Sequence, residues 1–509
     1  MGQLPPEASG AAGLDVGIEA SSVAAQRQID LQGDTLRGHA ARGAIVNTAF
    51  TVGLATLSAL RGLVVAAFLS PGDYGVWGIV TIALGTLTWL KQVGFSEKYV
   101  QQDEPDQEAA FQQAFTLELA ANALLLLALV AVVPVAVAVY GQHKIVAPAL
   151  AMVAIVPAMA LQTPIWIFYR RMDFLRQRTL QAIDPAVGFV VAVALAVAGA
   201  GYWALVASAL AGAWASAIAV VRRSPYPLRL RWDRATVRDY MGFSWPLFAS
   251  GVSLLIMAQA TVITASRTVG LAGVGALTIA NAFSGYTHRV DEVITATLYP
   301  AICAVKDRLD VLAETFVKSN RLTLMWGMPF GVGLALFAPD LVHFVVGRRW
   351  DFAVTVIEAT AIGAAIQHVG FNWTAFHRAR DETRPIAVAT WISLAAYAIG
   401  PIPLLIADGL RGYSIGIIGA ALVALAVRGY YMQRMLAGFR VLRHTLRAVM
   451  PTLPATAAVL AARLVEPDHR TPALAVAELV AYLVLTAIAT WLLERPLLDE
   501  VLGYLRRRR

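Results

Sequence analysis

The chain has 509 residues, of which 58% are hydrophobic and only 15% charged, with a formal net charge of +8 and a mean hydropathy of +0.63. That balance excludes a soluble protein with an apolar core and a charged surface, and it points to a membrane as the solvent. One cysteine, Cys303, excludes an intramolecular disulfide and a thiolate metal cluster, and reads as a small buried apolar residue.

Residues 1–42 carry Pro5, Pro6 and several Gly and Gln without an apolar core, and are expected to form a flexible cytoplasmic tail. They lack the basic start, short apolar stretch and small-residue cleavage site of a signal peptide. Beyond Gly43, apolar runs recur that can cross roughly 30 Å of hydrocarbon at about 1.5 Å per helical residue. They predict spans near 43–69, 74–95, 112–140, 146–168, 182–199, 201–221, 243–267, 273–302, 319–346, 352–376, 385–407, 412–433, 448–465 and 473–493. Spanning strands would be about half as long. The expected fold is therefore an all-α polytopic membrane protein of about fourteen transmembrane helices.

Short connections such as Ser70-Pro71-Gly72-Asp73 alternate with arginine-rich ones. Arg170, Arg171, Arg176 and Arg178 follow the fourth span, Arg222, Arg223, Arg229 and Arg231 the sixth, and Arg434, Arg440, Arg443 and Arg447 the twelfth. All fall on one side, so the positive-inside bias puts both termini in the cytoplasm. These arginines flank spans instead of forming one aromatic-interleaved patch, which argues against a nucleic-acid partner.

A weak repeat is present. Ser70-Pro71-Gly72-Asp73-Tyr74-Gly75 follows the first span and Gly270-Leu271-Ala272-Gly273-Val274-Gly275 the seventh, so Gly75 and Gly275 hold equivalent places. Two similar halves suggest a transporter of parallel repeats with its site between them. The second glycine run lacks the spacing of a phosphate loop.

Polar residues within spans are costly, about 2.5–3.5 kcal/mol for a central charge on insertion scales, and mark candidates. The first span carries Asn47, Thr48 and Arg61; Arg61 either snorkels to the headgroups or serves a site. In the eighth, at 100° per residue, Asn281, Ser284, His288, Glu292 and Thr295 share one face, with Arg289 at its margin and Asp291 beside it. Arg289 and Glu292 either neutralise one another locally, or Arg289 attracts an anionic head group while Asp291 or Glu292 titrates with a coupling ion. The tenth holds Glu358, Gln367, His368 and Asn372, which suit interhelical hydrogen bonding. No catalytic, cofactor or metal-binding motif occurs, so no enzyme, metal or cofactor is expected.

Several segments in order carry a family likeness: Leu69-Ser70-Pro71-Gly72-Asp73-Tyr74-Gly75, Val93-Gly94-Phe95-Ser96-Glu97-Lys98, Tyr169-Arg170-Arg171-Met172-Asp173-Phe174, Tyr299-Pro300-Ala301, Phe337-Ala338-Pro339-Asp340 and Val346-Gly347-Arg348-Arg349-Trp350. With them the chain resembles the polysaccharide transporter family, Wzx-like oligosaccharide flippases near the colanic-acid branch, within the multidrug/oligosaccharidyl-lipid/polysaccharide exporter superfamily. The resemblance implies two pseudo-symmetric six-helix lobes, residues 43–221 and 243–433, joined by a basic linker 222–242 and followed by two further helices in 434–493 and a basic tail 494–509. It also implies a central cationic cavity lined by spans one, two, seven and eight, and its cationic role falls on Arg61 and Arg289. One departure stands out: where many relatives place a basic residue just before the leucine of the first turn motif, this chain has Ala67-Phe68.

The implied substrate is an undecaprenyl-diphosphate-linked oligosaccharide, moved across the bacterial inner membrane for exopolysaccharide, O-antigen or capsule. Membrane lipids, a coupling proton or sodium ion, and glycan polymerase or export machinery are the implied partners. A multidrug antiporter or lipid II flippase of the same superfamily, a membrane glycosyltransferase or polymerase, and a structural assembly partner are the rival readings.

Overall fold

The computed structural model describes residues 36–506, apart from 92–94, 102–103, 172, 239, 241–251, 289–290, 292–294, 296–297, 299–301, 303–306, 381, 437–438 and 466–469. Expectations on Arg289, Glu292 and Cys303, and on the side chains of Asn47, Thr48 and His288, lie outside the described residues. The described chain is helical and contains no strand.

The first half comprises α1 (Leu36–Phe68), α2 (Pro71–Lys91), α3 (Phe95–Gln101), α4 (Gln107–Tyr140), α5 (Val146–Val153), α6 (Ile155–Leu161), α7 (Ile165–Arg170), α8 (Phe174–Val197) and α9 (Trp203–Arg222). The second comprises α10 (Val252–Thr268), α11 (Gly270–Ser284), α12 (Leu309–Asp340), α13 (Val354–His368), α14 (Trp373–Ala379), α15 (Thr383–Ile399) and α16 (Pro401–Met435). Three more follow: α17 (Val441–Val449), α18 (Leu453–Val465) and α19 (Pro472–Arg506). Among the described residues nine helical stretches have the length and composition to cross a bilayer, and Arg384–Ile399 and Leu453–Val465 are shorter apolar helices. The protein is thus an all-α, multi-pass membrane protein.

Local chemistry sets the helix ends. The Asp106 carboxylate accepts the Ala109 amide at 3.0 Å and opens α4, and Asp173 accepts the Arg176 amide at 3.1 Å and opens α8. The expected span 146–168 is three pieces, because Pro157 and Pro164 lack the amide that would continue the ladder. The carbonyl of Ala160, which a residue 164 amide would have served, accepts the Thr163 hydroxyl at 2.6 Å instead. The expected span 448–465 also differs: α17 ends at Val449, shortly before Pro451, which lacks an amide for the ladder, and α18 begins at Leu453, leaving 13 residues, about 20 Å of helix, which is less than the hydrocarbon thickness. The expected turn at 408–411 falls where Asp408 and Gly409 leave helical geometry within α16.

Packing follows the halves. α8 lies against α1 and α9; α13 lies against α12, α11 and α16, which also packs on α15 and α10. The halves join through α2 and α11, and one core there draws Val65, Leu69 and Ile79 together with Val274, Leu277 and Trp350. α19 packs on α18 and α12 and is pinned by charge. The Asp340 carboxylate accepts from Arg463 at 3.0 Å and Arg470 at 2.8 Å, and Glu478 accepts from the same two arginines at 3.3 and 2.6 Å.

Removing one acceptor from this network leaves two guanidiniums sharing the other. Asp340→Ala is expected to cost about 3 kcal/mol and to lower the melting temperature of the detergent-solubilised protein. An unchanged melting curve would show that the network contributes nothing net.

Candidate functional site: the seam between the halves

Hydrogen bonds joining the two halves gather at the Pro71 end of the bundle. Arg267 donates to the carbonyls of Ala138 and, at 2.9 Å, Val139; Tyr140 pairs with Gln259; Gln142 donates to the Ser266 carbonyl at 3.3 Å. Trp350, fully buried, donates from its indole to the Ala66 carbonyl at 3.3 Å and meets Tyr74 edge-on at 5.3 Å between ring centroids. Arg349 donates to the carbonyls of Ala66 and Ala67. Arg349 of the second half therefore stands against the backbone just before the first turn motif.

The backbones touch at the centre of this end. A methyl on Gly75 would overlap the carbonyl oxygen of Leu271, and one on Gly275 would overlap that of Pro71. The pairing is reciprocal, with each glycine meeting the residue four positions before the other, as two equivalent hairpins related by a local twofold axis would do. Only residues without a Cβ permit this approach.

Arg61 sits deeper on α1 and is half-buried. Its Nη1 lies 3.3 Å from where a Gly188 Cβ would be, on α8. Its charge is felt by Asp184, one turn earlier on α8, and by the Tyr74 hydroxyl, which also senses Tyr286 just beyond α11. Among the described residues Arg61 forms no hydrogen bond or ion pair. It is a cation near the seam, packed against α8.

The expected polar stripe on the eighth span is split. α11 stops at Ser284 and the chain tightens into a 3₁₀ turn over Gly285–His288, which breaks the 100° register. Asn281 is exposed, whereas Ser284 is buried and donates to the Thr360 hydroxyl at 3.0 Å. Asp291 is buried, its Oδ2 3.0 Å from Nε2 of His368. His368 is fully buried; its Nδ1 lies 2.7 Å from the Ala364 carbonyl and its Nε2 2.8 Å from that of Thr287. Both ring nitrogens face acceptors, an arrangement satisfied by a proton on each and a carboxylate on Asp291. Asn320 extends the network by donating to the His368 carbonyl at 3.1 Å and accepting the Gly370 amide at 3.1 Å. Asn372 donates to the Ser319 hydroxyl at 3.0 Å, so His368 and Asn372 do bond between helices.

Sequence reading passed over Asp184, the buried Glu118, whose Oε1 accepts from Asn122 at 3.0 Å, and Arg428, which donates to the Gln367 carbonyl at 2.8 Å. Each is a lone charge inside an apolar run, and that is the signal that would have found it.

These features define a polytopic, all-helical membrane fold. The chain superposes on the lipid II flippase MurJ in an inward closed conformation with a TM-score of 0.69, at 12% identity, covering 89% of this chain and all of that one. An inward-facing multidrug resistance MATE family transporter of the MOP superfamily superposes with a TM-score of 0.63, at 15% identity, covering 77% of this chain and 98% of that one. Residues 64–355, more than half of the chain, match the family described as polysaccharide biosynthesis protein, and the chain belongs to that family. The succinoglycan biosynthesis transport protein ExoT of Rhizobium meliloti (strain 1021) is 22% identical over 305 residues, 60% of this chain and 62% of that protein, so the match spans less than two thirds of the relative.

The glycine contact is directly testable. Gly75→Val should force α2 and α11 apart and lengthen the distance between spin labels at Ser70 and Thr268 in a cysteine-free background. Unchanged distances would show that the seam tolerates side chains and is not set by backbone approach.

Proposed function

We propose that the protein is a flippase that moves an undecaprenyl-diphosphate-linked oligosaccharide across the inner membrane for surface polysaccharide synthesis. The observation that carries this reading is the reciprocal Gly75–Gly275 contact at one end of the bundle, in a chain of the polysaccharide biosynthesis family. The arginine-rich connections, such as Arg222 with Arg223, lie at the other end, so the positive-inside bias assigns the Pro71 end to the periplasm and both termini to the cytoplasm. In this reading the two halves act as lobes, closed outward here, and separation at the glycine pair opens them to the periplasm.

The diphosphate is the part of the cargo that hydrocarbon rejects most strongly. Arg61, beside the seam and without a hydrogen-bond acceptor among the described residues, binds it with Arg289; a planar guanidinium can engage two phosphate oxygens at once. Asn281, His288 and Glu292 line the polar path for the sugars, and the lipid tail stays in the bilayer. Asp291, paired with His368, is the carboxylate that answers to the coupling ion. Such a protein works beside the enzymes that build and polymerise the glycan and carries out transport itself.

Deletion in the host should leave lipid-linked oligosaccharide on the cytoplasmic leaflet and abolish the surface glycan. The wild-type chain should restore export and Arg61→Ala should not, while Arg61→Lys recovers part of it. Unchanged glycan and lipid-linked pools would overturn the reading; hypersensitivity to ethidium or norfloxacin would then indicate an antiporter, and arrested wall synthesis a lipid II flippase.

A further inference from the structure

A second cationic site lies away from the seam, between the first turns of α12 and the short helix α17. There a cavity of about 710 Å³ is walled by Lys318, Arg321, Arg440, Arg443 and Arg447, with Glu314 as its one acid. Glu314 is already committed to Lys318 at 2.7 Å, and Arg321 to Glu494 of α19. Among the described residues, no side-chain hydrogen bond or ion pair engages the guanidinium of Arg440, Arg443 or Arg447. Three arginines around one cavity, with the local acids spent on other cations, form a site for an anion.

The neighbouring face of α17 indicates which anion. Spacings of three and four put Arg443 and Arg447 on the face of Arg440, whereas Leu442 and Leu446, 72% and 58% exposed, stand about a quarter-turn away. His444, buried on the other flank, donates to Asn320 and packs against Phe316 and Phe439. Burial, aided by Arg321, pushes His444 down to about 4, so at neutral pH the positive charge of the cavity is carried by arginine and lysine. α17 therefore has one face fixed to the protein, one basic face and one apolar face left uncovered, as in a helix lying at the boundary of headgroups and acyl chains.

We propose that this cavity holds the phosphate headgroup of an anionic phospholipid of the surrounding leaflet, whose acyl chains run beside Leu442 and Leu446. The lipid would tie α17 to the start of α12 and, through Arg321 and Glu494, to α19. This goes beyond the flippase reading and does not depend on it, because the cavity lies outside the seam and its occupant is bulk lipid instead of cargo.

The test uses the full-length protein in nanodiscs of phosphatidylcholine titrated with phosphatidylglycerol, reading bound lipid by native mass spectrometry and thermal stability in parallel. Phosphatidylglycerol should bind and raise the melting temperature. Arg440→Gln/Arg443→Gln/Arg447→Gln should weaken that binding at least tenfold, with the lysine triple variant retaining most of it. The control Arg222→Gln/Arg223→Gln should match the wild type. Equal binding of phosphatidylglycerol to the glutamine variant, or of phosphatidylcholine to the wild type, would overturn the proposal. Protection by inorganic phosphate alone would show a free-anion site, and displacement by undecaprenyl diphosphate a cargo-loading site; either outcome rules out the phospholipid. Matched circular dichroism of all variants separates lost binding from lost fold.

Discussion

Two backbones in contact organise this molecule. At Gly75 and Gly275 the absence of a side chain lets α2 and α11 come close enough for carbonyl groups to occupy the space of a Cβ, and the reciprocity of that contact aligns everything around it. The core of Leu69, Trp350 and Val274, the ring contact of Tyr74 with Trp350 and the arginine bonds from Arg267 and Arg349 all gather at the same end. The backbone approach and these directional bonds therefore hold the same end of the two halves together.

Charge is handled differently at the seam and away from it. In the second half, several buried polar groups find partners in situ: His368 with Asp291, Asn320 with the chain at His368 and Gly370, and Asp340 with two arginines. Hydrocarbon demands this, since an unpaired polar group costs several kcal/mol there. Arg61 departs from the rule. Its guanidinium packs against α8 with no acceptor on it among the described residues, and its charge is felt by Asp184 across the groove.

Much of this was legible in the sequence. Apolar runs announced the spans, and the equal places of Gly75 and Gly275 announced the two hairpins, because both signals are local. What depends on distant packing was not legible. The stripe from Asn281 through His288 assumed one continuous helix, whereas α11 ends at Ser284 and the 3₁₀ turn over Gly285–His288 breaks the register beyond it. The hydrogen bond from Arg349 to the Ala67 carbonyl joins residues some 280 positions apart, which no reading of the first turn motif could supply. Proline breaks at 157 and 164 were visible, but periodic hydropathy averages over them.

The most direct test of the account is transport by the purified protein in liposomes with its lipid-linked oligosaccharide in one leaflet, scored by access of an externally added glycosidase. The account predicts protein-dependent transfer that is lost in Arg61→Ala and in a variant cross-linked shut between α2 and α11. Transfer that continues with the seam locked, or none with the wild-type chain and its host's own substrate, would contradict it.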